Sequence, residues 1–346
     1  MAPTQLALSL LFILLPFGQL LRLDFSNFSL PVFDIALVIF TVLNIRQTKL
    51  SKPWLVFILC ILISFVVAQI TPTGDPRLPF LYLVRLLLLI VFINQSLPTI
   101  NTKLVYISLA SIVGFGLVQY FLFPDNTIMA SLDWDPHLNR LVGSFLDPTF
   151  TALSYLFILI FLYLRKNRNY LLLLATYIAL ILTYSRSTLL AFVLVSGIYS
   201  FKTKQLKFFL AILLLVGFSL ALLPKTAGEG TNLQRTSTIA AKIENYKEGI
   251  ATFIQKPILG HGYNYLVNIR TNQGHASSGY DNSLLTILAT TGLVGLFAFL
   301  YALRNKQYTN LGTYLTVAFL IHSFFANSLL YPMLIFLYKY LQDQKS

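Results

Sequence analysis

From residue 5 to residue 342 the chain is a succession of apolar stretches separated by polar gaps, and a single gap is long. Roughly twelve stretches reach the length and hydropathy of a membrane helix: 5–21, 31–45, 54–70, 80–95, 104–123, 147–164, 169–184, 187–200, 207–223, 282–303, 310–327 and 329–342. They are rich in Leu and Phe and lack ten-residue alternation, which predicts helices in preference to a barrel. The expected fold is all-α: a polytopic integral membrane protein of about 12 transmembrane helices with one large extracytoplasmic loop containing helices. That loop, residues 224–281, has its own pattern. Ile239, Ile243, Tyr246, Ile250 and Phe253 recur at spacings of three and four, predicting an amphipathic helix with Lys242, Glu244, Lys247 and Glu248 on its other faces. A turn from Pro257 to Gly262 ends this helix. Asp281 or Asn282 is expected to cap the next span, inside which Gly292-Leu-Val-Gly295 reads as a small-residue packing face.

Composition removes the soluble alternative. Hydrophobic residues make up 56% of the chain and charged residues 11%, against about a quarter charged in ordinary soluble domains. The N-terminus lacks a basic region and a small-residue cleavage site, so it reads as a first span and not a cleaved signal. One membrane domain over 1–346 is expected, with N-terminal helices (1–130), a central region (131–303) that includes the loop, and C-terminal helices (304–346). The lone cysteine, Cys60, has no intrachain disulfide partner and reads as a small hydrophobe.

The net charge of +13 sorts by gap. With the N-terminus cytoplasmic, the cytoplasmic gaps and C-terminus collect Arg46, Lys49, Lys52, Lys103, Arg165, Lys166, Arg168, Lys202, Lys204, Lys207, Arg304, Lys306, Lys339 and Lys345, with Asp343 as their lone acid. This positive-inside pattern puts both termini in the cytoplasm, and puts the long loop and the gap 124–146 outside. The expected location is a membrane, in contact with its lipids. The cations are scattered through short turns without a folded basic surface, which argues against nucleic acid as a partner.

No phosphate-binding P-loop, nucleophile elbow or metal-ligand spacing appears, so no cofactor and no metal are expected. The polar residues of the outer side are then the candidates. Arg85 lies within an apolar stretch, where a guanidinium costs at least ~2.5 kcal/mol and must face a cavity or an anion, snorkel, or pair with Asp34. Arg140 opens a run to Gly143, Phe145, Asp147 and Pro148, in which Asp147 reads as a helix N-cap. Arg186, between Ser185 and Ser187, sits in a tight turn between two apolar stretches. An arginine held there suits a phosphate or pyrophosphate head group, which its planar fork binds bidentately, or anchors the protein at the interface. His137, His261 and His275 also fall on this side.

Arg140-x-x-Gly143-x-Phe145-x-x-Pro148, Ser185-Arg186-Ser187, Pro257-x-Leu259-Gly260-x-Gly262 and Asn282-x9-Gly292-Leu-Val-Gly295 occur in order. Together, over about residues 130–300, they resemble the O-antigen ligase/polymerase family of bacterial membrane glycosyltransferases. The resemblance implies metal-independent transfer of a glycan from a polyprenyl-pyrophosphate-linked donor to a glycan, lipid or protein acceptor at the extracytoplasmic face. The product would be a surface polysaccharide such as that of lipopolysaccharide. It implies Arg186 and Arg140 as pyrophosphate ligands. Lys242 stands where an arginine commonly opens the loop helix. Arg85, Asn282 and His261 complete the expected substrate-binding set. The family commonly has a histidine, thought to be the base for the acceptor, immediately before the asparagine that is Asn282 here. This chain has Asp281 instead, which leaves Asp281 or His275 as the catalytic base, and Asp281 reads equally as an N-cap. The alternative class is a transporter or flippase of lipid-linked or other anionic solutes. Against it, the distinctive residues cluster on one side and no internal repeat is found.

Overall fold

The structure is a computed structural model that describes residues 3–25, 28–70, 74–132, 134–270, 279–306 and 308–344. A helix occupies each of the twelve apolar stretches. The first five are α1 (Pro3–Leu14), α2 (Val32–Leu43), α3 (Lys52–Ile70), α4 (Arg77–Ile93) and α5 (Thr102–Leu122). Next come α6 (Pro148–Leu164), α7 (Tyr170–Leu182), α8 (Arg186–Thr203) and α9 (Leu206–Leu222). The long loop contributes α10 (Ser237–Gln255) and the short α11 (Leu266–Ile269), and the chain finishes with α12 (Ser283–Arg304), α13 (Asn310–Ser323) and α14 (Pro332–Asp343). By length and composition α3, α5 and α12 can each cross a membrane. The 12-residue helices α1, α2 and α14 rise only about 18 Å at 1.5 Å per residue. A hairpin absent from the sequence expectations, β1 (Arg22–Phe25) against β2 (Phe28–Pro31), joins α1 to α2, with Leu23 opposite Leu30.

The apolar helices are used in opposite ways. In α14 every residue from Pro332 to Gln342 is buried, and Phe336 packs on Phe12, Phe33 and Phe92. The neighbouring α6 is likewise buried along almost its whole length. In α9, Val216 alone is buried, and Leu206, Leu210, Leu214, Phe218 and Leu222 form an exposed stripe at four-residue spacing. An exposed apolar face of this size is unfavourable in water and favourable against lipid.

α12 is not a continuous helix. At Gly292 the backbone turns to φ 67° and ψ −170°, a break inside the stretch expected as a small-residue packing face. The broken ladder is repaired by the loop segment 257–262. The His261 and Gly262 amides donate to the Ala289 and Thr290 carbonyls, and the Leu293 and Val294 amides donate to the Pro257 and Ile258 carbonyls. Ser64 of α3 adds a hydroxyl donor to the Thr290 carbonyl at 2.7 Å. Backbone groups freed at a helix break far from water need such partners. The close approach requires glycines, since a Cβ on Gly292 would lie 2.1 Å from the Ile258 carbonyl oxygen and one on Gly260 2.3 Å from Thr290.

Candidate functional site

The gap 124–146 and the long loop meet at one end of the molecule. Asn139 Nδ2 donates to the Ala227 carbonyl at 2.7 Å, and Gly230 lies so close over the Arg140 side chain that a Cβ there would come within 2.3 Å of Cδ. Three guanidiniums gather under this contact. Buried Arg140 donates from Nε and Nη2 to the Thr183 carbonyl at 3.0 and 2.9 Å, which fixes it to the end of α7. Arg186, the first residue of α8, reaches the Leu233 and Arg235 carbonyls through Nη1 at 3.2 and 3.0 Å. Arg235 folds back on its own turn, with Nη1 to the Gly230 carbonyl at 2.6 Å and Nε to Thr238 Oγ1 at 2.9 Å. Each arginine thus has one edge held by neutral acceptors.

The electrostatics show how crowded these charges are. Burial, then the neighbouring Arg235, pushes Arg140 down to about 10, with Arg186 adding to the effect and Asp147 opposing it. Burial and Arg186 lower Arg235 in the same way, against the pull of Glu229. His137, on the same loop, is pushed down to about 4 by burial and then by Arg140. Asp147 caps α6, its Oδ1 accepting the Thr149 and Phe150 amides at 2.6 and 2.8 Å. The N-cap reading of Asp147 is therefore met, and the same carboxylate lies within electrostatic reach of Arg140.

Lys242 of α10 forms the adjoining corner. Its Nζ lies 3.4 Å from Asp281 Oδ2 and donates to the Phe325 carbonyl at 2.5 Å. Asp281 keeps 47% of its side chain exposed, and its amide donates to Asn245 Oδ1 at 2.8 Å. Asn282 is the cap of α12, accepting from the Leu285 amide at 3.0 Å. The cap and the lysine-paired carboxylate are thus two neighbouring residues, so Asp281 is spared the capping role.

The other expected site residues are engaged elsewhere. Arg85 Nη2 lies 2.5 Å from Asp34 Oδ2, the pairing that the sequence left open. His261 is buried between α10 and α12, its Nε2 2.9 Å from the Thr252 carbonyl, and burial lowers its pKa. His275 lies outside the described residues. Two groups escaped the sequence reading. Arg235 carries no motif and joins the cluster only through the loop's fold. His322 of α13 is fully buried, with the Lys242 ammonium and the Thr149 backbone facing it. Among the described residues no group of three His, Cys, Asp or Glu side chains is arranged to hold a metal ion.

Residues 170–300 match the O-antigen ligase family. No curated protein matches the chain. The O-antigen ligase match begins at the first residue of α7 and ends inside α12, so it takes in Arg186, Arg235, Lys242 and Asp281 and leaves out Arg140. Over that region the chain is similar to the O-antigen ligase family, and three of its helices are long and apolar enough to cross a membrane.

Proposed function

We infer that the chain is a membrane glycosyltransferase that moves a glycan from a polyprenyl-pyrophosphate-linked donor to an acceptor hydroxyl at the extracytoplasmic face, without a metal. We read it as one multi-pass domain of about twelve spans in the bacterial inner membrane, with both termini cytoplasmic, as the positive-inside pattern supports. The observation that carries the chemistry is the cluster of Arg140, Arg186 and Arg235, three guanidiniums with Asp147 as the acid opposing them at Arg140. Like charges held this close destabilise one another, and a pyrophosphate relieves them.

In the reaction the acceptor oxygen bonds to the anomeric carbon, and the bond from that carbon to the pyrophosphate oxygen breaks. Charge develops on the leaving pyrophosphate, where fixed cations act most strongly. Arg186 and Arg235 have guanidinium edges available for this, and Arg140 adds field from beneath. The acceptor proton goes to a base. Asp281, half-exposed and tethered by Lys242, fits that role, and His275 is the alternative. Arg85 and His261, engaged by Asp34 and Thr252, serve the scaffold in this reading.

The test is reconstitution with a polyprenyl-pyrophosphate-linked oligosaccharide and candidate acceptors, measuring release of polyprenyl pyrophosphate. Release cut by about a hundredfold or more in both Arg186→Ala and Asp281→Ala is the expected result. Donor binding without release across all acceptors would sink the transferase reading in favour of transport. Release lost in Arg186→Ala alone moves the base to His275.

A further inference from the structure

At the opposite end of α7 and α8 from the arginine cluster, a cleft of about 340 Å³ opens between α6, α7, α8, α9 and α13. Its walls are almost wholly apolar. Leu174 and Ile178 of α7, 55% and 43% exposed, stand at its opening, so it communicates with the surface. At one end Tyr177 bridges from α7 to Ser219 of α9 at 2.8 Å. From that end the cleft runs along α9 to Phe208, and the lining residues Phe208 to Leu215 span roughly 10 Å.

The other end is a basket of four rings, Tyr163, Tyr199, Phe208 and Tyr314, with neighbouring centroids 5.3 to 5.6 Å apart. Two cations cap it. The Arg168 guanidinium stacks 4.6 Å over Tyr163, and the Lys202 ammonium lies 5.6 Å over Tyr314. Both side chains are exposed, as are Lys166, Lys204 and Lys207 in the same two turns. The sequence has no acidic residue between Asp147 and Glu229, so this cationic rim has no carboxylate from its own segment of chain to neutralise it.

An apolar cleft in a membrane-facing wall, bounded at one end by rings and by cations whose own segment of chain carries no acid, has the chemistry of one ligand class. We propose that it binds an anionic phospholipid, with an acyl chain in the cleft between α7 and α9 and the phosphate against Arg168 and Lys202. Aromatic rings favour the membrane–water boundary, and basic pockets between helices select acidic head groups. This site is separate from the proposed transfer chemistry and depends only on the chain lying in a membrane.

The experiment is native mass spectrometry of the full chain with phosphatidylglycerol, phosphatidylcholine or undecaprenyl phosphate added in competition. Wild type is expected to retain phosphatidylglycerol over phosphatidylcholine of the same acyl chains by roughly tenfold or more. The double variant R168Q/K202Q, altered only at exposed positions, is expected to lose that preference. Ile212→Trp, which fills the cleft, is expected to weaken retention of both lipids. Equal retention of the two phospholipids by wild type would overturn the proposal, as would an unchanged preference in R168Q/K202Q. Undecaprenyl phosphate displacing phosphatidylglycerol would overturn the phospholipid assignment. Glycan transfer is not the readout, so failure here leaves the catalytic reading where it stood.

Discussion

Lys242 and Asp281 form the bridge between the long loop and the start of α12, with Nζ 3.4 Å from Oδ2 and the lysine shared with the Phe325 carbonyl. Both side chains are partly open to solvent, at 31% and 47% exposure, so the pair contributes little to stability. Its value is positional. Lys242→Met is expected to lower pyrophosphate release while moving thermal stability by less than about 1 kcal/mol. Lys242→Arg is expected to restore most of the activity. Paired turnover and melting measurements check this, and a large stability loss with unchanged turnover would contradict it.

The arginine cluster makes a graded prediction. Arg186→Ala and Arg235→Ala each remove a cation from the proposed pyrophosphate site and are expected to cost about 10²–10³-fold in turnover. Arg186→Lys keeps the charge but loses the fork, and should fall between the alanine variant and wild type. Single-turnover release assays with each variant decide the order. Activity in Arg235→Ala equal to wild type would remove this residue from the site.

Gly292→Ala and Gly260→Ala test the broken helix. Each glycine has positive φ, and each added Cβ meets backbone at 2.1 or 2.3 Å. A loss of about 2–4 kcal/mol is expected in either variant. Gly217→Ala in α9, where a Cβ meets nothing within 4 Å, is the control and should melt at or slightly above wild type. Thermal unfolding in detergent measures all three.

His137 gives the chain a pH dependence. Burial and Arg140 hold its pKa at about 4, whereas an unfolded histidine titrates near 6.5. The folded form therefore keeps a neutral imidazole while the unfolded chain takes up a proton. Stability from this group is complete above about pH 6.5 and is lost as pH falls toward 4, by on the order of 1–3 kcal/mol. The melting temperature of wild type should drop between pH 7 and pH 5 by more than that of His137→Gln.

Local signals in the sequence reached far. Asp147 and Asn282 cap α6 and α12, and a helix occupies each expected apolar stretch. What stayed hidden depended on neighbours. Hydropathy cannot separate α6, buried along almost its whole length, from α9, exposed on nearly all, because lipid and protein interiors are equally apolar. The loop helix shows the same limit: its predicted stripe is real, yet Ile239, Ile243 and Ile250 face outward, while Gly249 and Thr252 make the buried contact. Arg235 was invisible because only the fold of residues 228–236 carries it to Arg186 and Arg140, and the break at Gly292 because only a bound segment makes it tolerable.

That bound segment also sets the mechanics of the loop. Four backbone hydrogen bonds lock residues 257–262 into the middle of α12, so the C-terminal end of α10 is riveted to the membrane body. A hinge there would have to unzip a helix. On the other side of α10, the stretch from Pro224 to Thr236 has no such lock into α12. Arg186 and Arg235 hold that stretch by hydrogen bonds to loop carbonyls. Under the proposed function those same side chains bind the donor, so loading the donor and releasing that stretch of loop would be a single event.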